Sequence, residues 1–159
     1  MPNWCLNKIE VFGSKESLDK FAELAKKPSD LMREYYEEGD IINLSLSSTV
    51  PPEKIDMKHL NEIWGVNRDI FDAEVERPTD EQLEYRFSSA WKPPMEWLKT
   101  TAEKFPELFF SLTYIEPGEV FCGFAEAEGE DFSEDYHENE LLPEILQEFG
   151  LETDEEEEN

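Results

Sequence analysis

Apolar and polar positions alternate from Asn7 to Phe12, with Ile9 and Val11 on one side, Lys8 and Glu10 on the other, and Gly13 breaking the run. That period of two predicts a first strand. Behind it, Ser14 is placed to cap a helix in which Leu18, Phe21, Leu24 and Ala25 recur at helical spacing until Pro28 ends it. The spacing predicts a helix over 14–27. Pro28 to Asp40 is polar, with a Tyr35-Tyr36 pair and Gly39, and reads as an insertion with room for a short helix. Ile42, Leu44 and Leu46 then alternate with Asn43, Ser45 and Ser47, which predicts a second strand ending before Pro51-Pro52. Met57 to Trp64 has the length of one or two helical turns.

Two hairpins and two helices follow. Ala73 to Arg77 and Leu83 to Trp91 flank the turn Pro78-Thr79-Asp80, and the alternation puts Leu83, Tyr85, Phe87, Ser89 and Trp91 on one buried face. Pro93 and Pro94 are tolerated only in a first helical turn, so they open a helix whose stripe is Met95, Leu98, Ala102 and Phe105. Leu108 to Ile115 and Val120 to Glu128 pair across Glu116-Pro117-Gly118-Glu119. A last helix over 139–149 places Leu141, Leu142, Ile145, Leu146 and Phe149 together, and Gly150 ends it. This order predicts an α+β fold, a ferredoxin-like two-layer sandwich of mainly antiparallel sheet with helices on one face, plus an acidic C-terminal helix and tail. The divisions expected are a ferredoxin-like domain over 1–130, an acidic extension with a helix over 131–152 and a disordered acidic tail over 153–159.

Charge changes the picture. The last basic residue is Lys104; beyond it stand nineteen Asp and Glu and no Lys or Arg, which carry most of the formal −26 of the 159-residue chain. Spread along one edge, nineteen acids approach the linear charge of about 32 Å of duplex DNA. Self-repulsion of this kind costs stability, and the compensating gains are solubility or a basic partner. Aromatic residues make up 13% of the chain, enough for a core, so the body folds. Direct nucleic-acid binding needs clustered bases that this chain lacks, and an acidic surface is repelled by anionic lipid.

Candidate catalytic chemistry is sparse. His59 and His137 stand in no triad or metal motif, and Cys5 and Cys122 have no ligand spacing, which reads as two structural thiols in a reduced, cytoplasmic protein without a signal peptide. The run from Glu126 to Asp135 is a poor match to a calcium loop, which wants Asp or Asn at alternate positions, a glycine at the sixth and a bidentate glutamate at the twelfth. The expectation is therefore no enzyme, no cofactor and no metal.

Several strings carry a family resemblance. They are Asn3-Trp4-Cys5-Leu6-Asn7 with Gly13, Trp64-Gly65 running into Asp72-Ala73-Glu74-Val75, Phe87-Ser88-Ser89-Ala90-Trp91-Lys92-Pro93-Pro94, Phe105-Pro106, and Tyr114-Ile115-Glu116-Pro117-Gly118 with Phe121 and Gly123. Together they resemble the YubB-type ferredoxin-like family of plasmid and bacteriophage proteins. The resemblance implies a ferredoxin-like topology and a mobile-element origin in a bacterial host cell, and very little about activity. The tract Val66 to Phe71 departs from the family's usual basic sequence, and the acidic run after Glu126 stands outside its pattern.

Two sets of residues are candidates. The acidic set, Glu126, Glu128, Glu130, Asp131, Glu134, Asp135, Glu140, Glu144 and Glu148, would meet a partner; Glu140, Glu144 and Glu148 fall on one i, i+4, i+8 helical stripe that the helix does not need for itself. The aromatic set, Trp4, Trp64, Trp91 and Glu116, is a possible pocket or a structural signature. The function expected is a DNA-mimic, counter-defence inhibitor (anti-CRISPR or anti-restriction) that binds the basic nucleic-acid-binding surface of a host protein. The alternative is an accessory domain that binds a peptide or small ligand and uses its acidic end for solubility.

Overall fold

The first alternating run sets the middle of the sheet. In the computed structural model, which describes residues 2–151, β1 (Trp4–Phe12) pairs antiparallel with β3 (Gln82–Ala90) on one side and β4 (Phe109–Glu116) on the other. Adding β2 (Glu74–Thr79), β5 (Phe121–Glu128) and β6 (Asp131–Glu138) gives the order β2-β3-β1-β4-β5-β6. Helices α1 (Lys15–Ala25) and α5 (Met95–Lys104) are the crossovers of two interleaved β-α-β units, and β5 with β6 extends that ferredoxin-like core.

One face of the sheet makes the main core. Cys5, Asn7, Ile9 and Val11 of β1 are buried beside Leu83, Tyr85 and Phe87 of β3 and Phe110, Leu112 and Tyr114 of β4. Phe21 from α1 meets Tyr85, Phe105 and Phe110 edge-on, with ring centroids 5.3–6.1 Å apart. Ser14 caps α1 by accepting from the Ser17 amide, as its place before the stripe predicts. In α5 the buried stripe is Trp97, Leu98, Thr101 and Ala102, so Trp97 takes the place expected of Met95.

Three short helices fill the long crossover: α2 (Asp30–Arg33), α3 (Leu46–Thr49) and α4 (Met57–Trp64). The strand expected at 42–47 is not formed. The carboxylate of Asp69 accepts from the Leu46 amide at 2.7 Å and the Ser45 hydroxyl at 2.6 Å, and Ser45 in turn caps α3 through the Ser47 amide. Leu44, Ser45, Leu46 and Ser47 are all buried, so the apparent alternation has no solvated face.

Trp91 also departs from expectation. β3 ends at Ala90, and Trp91 turns out at φ 72°, 44% exposed, with its amide donating to the Asn3 carbonyl at 2.8 Å. The Ser89 hydroxyl closes the turn onto the Lys92 carbonyl at 2.6 Å. Trp91 therefore does not share the buried face of Ser89.

The acidic stretch after Glu128 is a strand rather than an extension beyond the sheet. β6 pairs with β5 from Glu128↔Asp131 to Phe121↔Glu138, across a two-residue turn with Gly129 at φ 58°. Beyond it, α6 (Pro143–Glu148) is shorter than predicted, because Pro143 occupies its first turn. It lies on the opposite face of the sheet, where Ile145 and Leu146 pack on Ile115 and Cys122, flanked by Leu6, Phe124 and Phe149. The tail beyond Thr153, expected to be disordered, lies outside the described residues.

Candidate functional site

The acidic candidates gather on the β5–β6 edge. Glu126 and Glu128 are exposed on β5, Glu130 sits in the turn, and Asp131, Glu134, Asp135 and Glu138 are exposed along β6, with Glu140 just past it. The pairing of β5 with β6 places Asp131 and Asp135 on the sheet face of Glu126 and Glu128, and Glu134 and Glu138 on the other. The edge is acidic on both sides. An eight-residue strand is about 27 Å long, and the six carboxylates of Glu126, Glu128, Asp131, Glu134, Asp135 and Glu138 over that length average about 4.5 Å of strand per charge, near the roughly 3.4 Å of one DNA strand.

Three contacts fix this edge. Gly123 has no side chain between Tyr114 and β6, so the Tyr114 hydroxyl crosses β5 and donates to Glu134 at 2.6 Å. Burial, and that bond to Glu134, push the Tyr114 phenol well above its ordinary range. The Lys99 ammonium stands over the Phe132 ring, 4.7 Å from its centroid. His137 lies between Asp135 at 3.2 Å and Glu140 at 3.0 Å, and the Asp135 contact raises its pKa. Sequence reading assigned His137 no role; its two acidic neighbours come from the strand and the turn after it.

The C-terminal stripe does not survive folding. Glu140 precedes α6, Glu144 is exposed in its first turn, and Glu148 is bound by Lys8 and by Arg86 at 2.8 Å. Lys8 and Arg86 are cross-strand partners on the face that α6 covers, so Glu148 holds the helix to the sheet. The Lys8 hydrogen bond lowers the Glu148 pKa below its ordinary 4.5. A depressed folded value means that this pair contributes stability above pH 4.5 and loses it as pH falls through the folded value. Replacing Glu148 by Gln is expected to flatten the fall in melting temperature between about pH 5 and pH 3. Superimposable pH profiles for parent and variant would remove the contact from the acid response.

The aromatic candidates separate. Trp64 is buried, with its indole N–H donating to the Val50 carbonyl at 2.8 Å. Glu116 is buried and accepts from the amides of Gly118 at 2.7 Å and Glu119 at 2.6 Å, which closes the β4–β5 turn. Both hold the fold. Trp4 instead lines a cavity of about 330 Å³ with Asp69, Ile70, Phe71, Asp72 and Ser88. Cys5 is buried, and burial pushes its thiol far above the range in which it ionises. Among the described residues no three His, Cys, Asp or Glu side chains are grouped to hold a metal ion, and no helix is long and apolar enough to cross a membrane.

Residues 70–158 match the family model described as the ferredoxin-like domain in Api92-like protein. The chain belongs to this Api92-like family. Among solved structures, protein api92 from Yersinia pseudotuberculosis is similar at a TM-score of 0.66 and 11% identity, over 90% of this chain and 100% of that one. At that identity the likeness is one of fold. No curated protein matches the chain in sequence. The Api92-like match spans β2 through α6, so the acidic edge lies within the family's domain rather than beyond it.

Proposed function

We propose that this Api92-like protein is a non-enzymatic, acidic protein of a mobile element that occupies the basic nucleic-acid-binding surface of a host protein, as a DNA mimic. The observation that carries the reading is the β5–β6 edge, where carboxylates on both faces of a fixed strand give an average linear charge density approaching that of a nucleic-acid strand. Among the described residues the side chains of Glu126, Glu128, Glu130, Asp131 and Glu138 make no hydrogen bond or ion pair, so local structure does not call for their charge. A restriction or RNA-guided nuclease offers the complementary surface, since its channel is lined with Lys and Arg, and blocking one is the counter-defence use.

The test is inhibition of DNA cleavage by purified restriction and RNA-guided nucleases. The parent is expected to inhibit at low salt, to lose potency steeply as salt rises, and to be displaced by nonspecific DNA. Reversing Glu126, Glu128, Glu130 and Asp131 to Lys is expected to weaken inhibition at least tenfold. Glu134, Asp135, Glu140 and Glu148 are left intact, because Tyr114, His137, Lys8 and Arg86 use them. Equal inhibition by parent and variant would rule out the mimic and pass the function to the Trp4 face.

A further inference from the structure

The Trp4 cavity is three strands from β6 in the sheet order, about 14 Å across the ladder. It is therefore a second site. Its walls are Trp4, 46% exposed, and Phe71, 52% exposed, two large aromatic side chains left half in water on one rim. The rim also holds a fixed charge. β2 has not yet begun at Asp72, so its carboxylate takes the place of a strand partner and accepts from the Ser88 amide with both oxygens, at 3.0 and 3.2 Å. Among the described residues no Lys, Arg or His pairs with Asp72, which leaves its remaining lone pairs open. Beneath it, Asp69 is buried with its oxygens bonded to Ser45, Leu46 and Ile70, and among the described residues no Lys, Arg or His pairs with it.

We infer that this cavity binds an arginine side chain of a basic partner protein, stacked against Trp4 and Phe71 and paired with the Asp72 carboxylate. The inference rests on the reading that the partner is basic. Aromatic faces attract cations, and a guanidinium is the cation that stacks flat and meets a carboxylate with two parallel hydrogen bonds. The chain supplies its own example of the contact: the Arg68 guanidinium stands over the Trp4 ring, 6.0 Å from the centroid. A formal charge of −26 opposes an anion at this site. About 330 Å³ is at the small end of ligand pockets, room for a side chain rather than a nucleotide. Trp91 stands at the same end of the sheet, one residue past the Trp4↔Ala90 pair, and is held exposed at a positive φ that few tryptophans adopt.

The full chain is titrated with a short glycine peptide carrying one arginine, and with its lysine and citrulline counterparts, while the Trp4 indole and Ser88 amide resonances are followed by NMR. The arginine peptide is expected to shift both saturably, the lysine peptide at least fivefold more weakly, and the neutral citrulline peptide not at all. Trp4→Leu and Asp72→Asn, the latter keeping an acceptor for Ser88, are each expected to weaken binding at least tenfold. The edge-reversed variant is expected to keep binding, so the result is read independently of nuclease inhibition. Equal response to citrulline, or parent-like binding by either pocket variant, would overturn the site. So would loss of the response in the edge-reversed variant, since it would reduce the effect to long-range charge.

Discussion

Replacing Trp64 by alanine is expected to lower stability by about 3–5 kcal/mol, the range for removing a core aromatic. The side chain has no solvent exposure, and its indole N–H is the partner of the Val50 carbonyl at 2.8 Å. Truncation therefore opens a cavity and also leaves a buried acceptor without its donor. The backbone cannot collapse easily into the gap. Gly65 ends α4 at φ 83°, and a Cβ there would stand 3.2 Å from the Met95 and Glu96 amides, so the end of α4 is already closely seated against the start of α5. Trp64→Phe should cost less, because it keeps a ring and loses the hydrogen bond. The contrast with Trp91→Ala is the control: at 44% exposure it should cost under about 1 kcal/mol. Urea unfolding of the three variants decides it, and a Trp64→Ala protein with the parent's midpoint would contradict the packing account.

What could be read from the sequence was burial on one side. Leu83, Tyr85 and Phe87 alternate with half-covered neighbours because the main core buries one face of β3 while only the end of α6 reaches the other, at Arg86, and such a pattern survives in a single sequence. The stretch Ile42 to Ser47 alternates for another reason. Its serines are buried polar groups serving the α3 cap and the Asp69 carboxylate, a partner more than twenty residues away. β6 was hidden by its acids. It has few apolar positions, and its pairing follows from the Gly129 turn and from Tyr114 reaching over Gly123, neither of which leaves a periodic trace. Trp91 continued the period of β3, and only the backbone at Ala90 to Lys92 shows that the strand had ended. The acidic edge was legible as composition, while the release of Glu148 to Lys8 and Arg86 was not, since those bases are far away in sequence. Trp4 was legible as a pocket candidate. Phe71 and Asp72 join it only through the loop before β2.

That loop is held by Asp69, and Asp69→Ala is expected to cost about 3–5 kcal/mol. The residue is 3% exposed, and its carboxylate satisfies the amides of Leu46 at 2.7 Å and Ile70 at 2.8 Å and the Ser45 hydroxyl at 2.6 Å. Alanine leaves two backbone donors and a hydroxyl buried without partners, at the start of α3 and at the base of the Trp4 cavity together. Asn should fall between parent and Ala, because it keeps one acceptor oxygen but turns an amino group toward donors. Burial pushes the Asp69 carboxyl above its ordinary 3.8, against the hydrogen bonds from Ser45, Ile70 and Leu46. A raised folded value contributes stability below pH 3.8 that is lost as pH rises through the folded value, so the parent should gain on Asp69→Asn as the solution is acidified. The opposite slope would mean that the donors, and not burial, control this group. The functional consequence follows from the same loop. Tyr36 holds it from outside, its hydroxyl donating to the Ile70 carbonyl at 2.8 Å and its ring 4.9 Å from that of Phe71. If the loop is pinned at both points, Asp69→Asn should weaken arginine-peptide binding at Trp4 while leaving nuclease inhibition by the acidic edge unchanged, and parallel loss of both would show that the two sites depend on the whole fold rather than on this anchor.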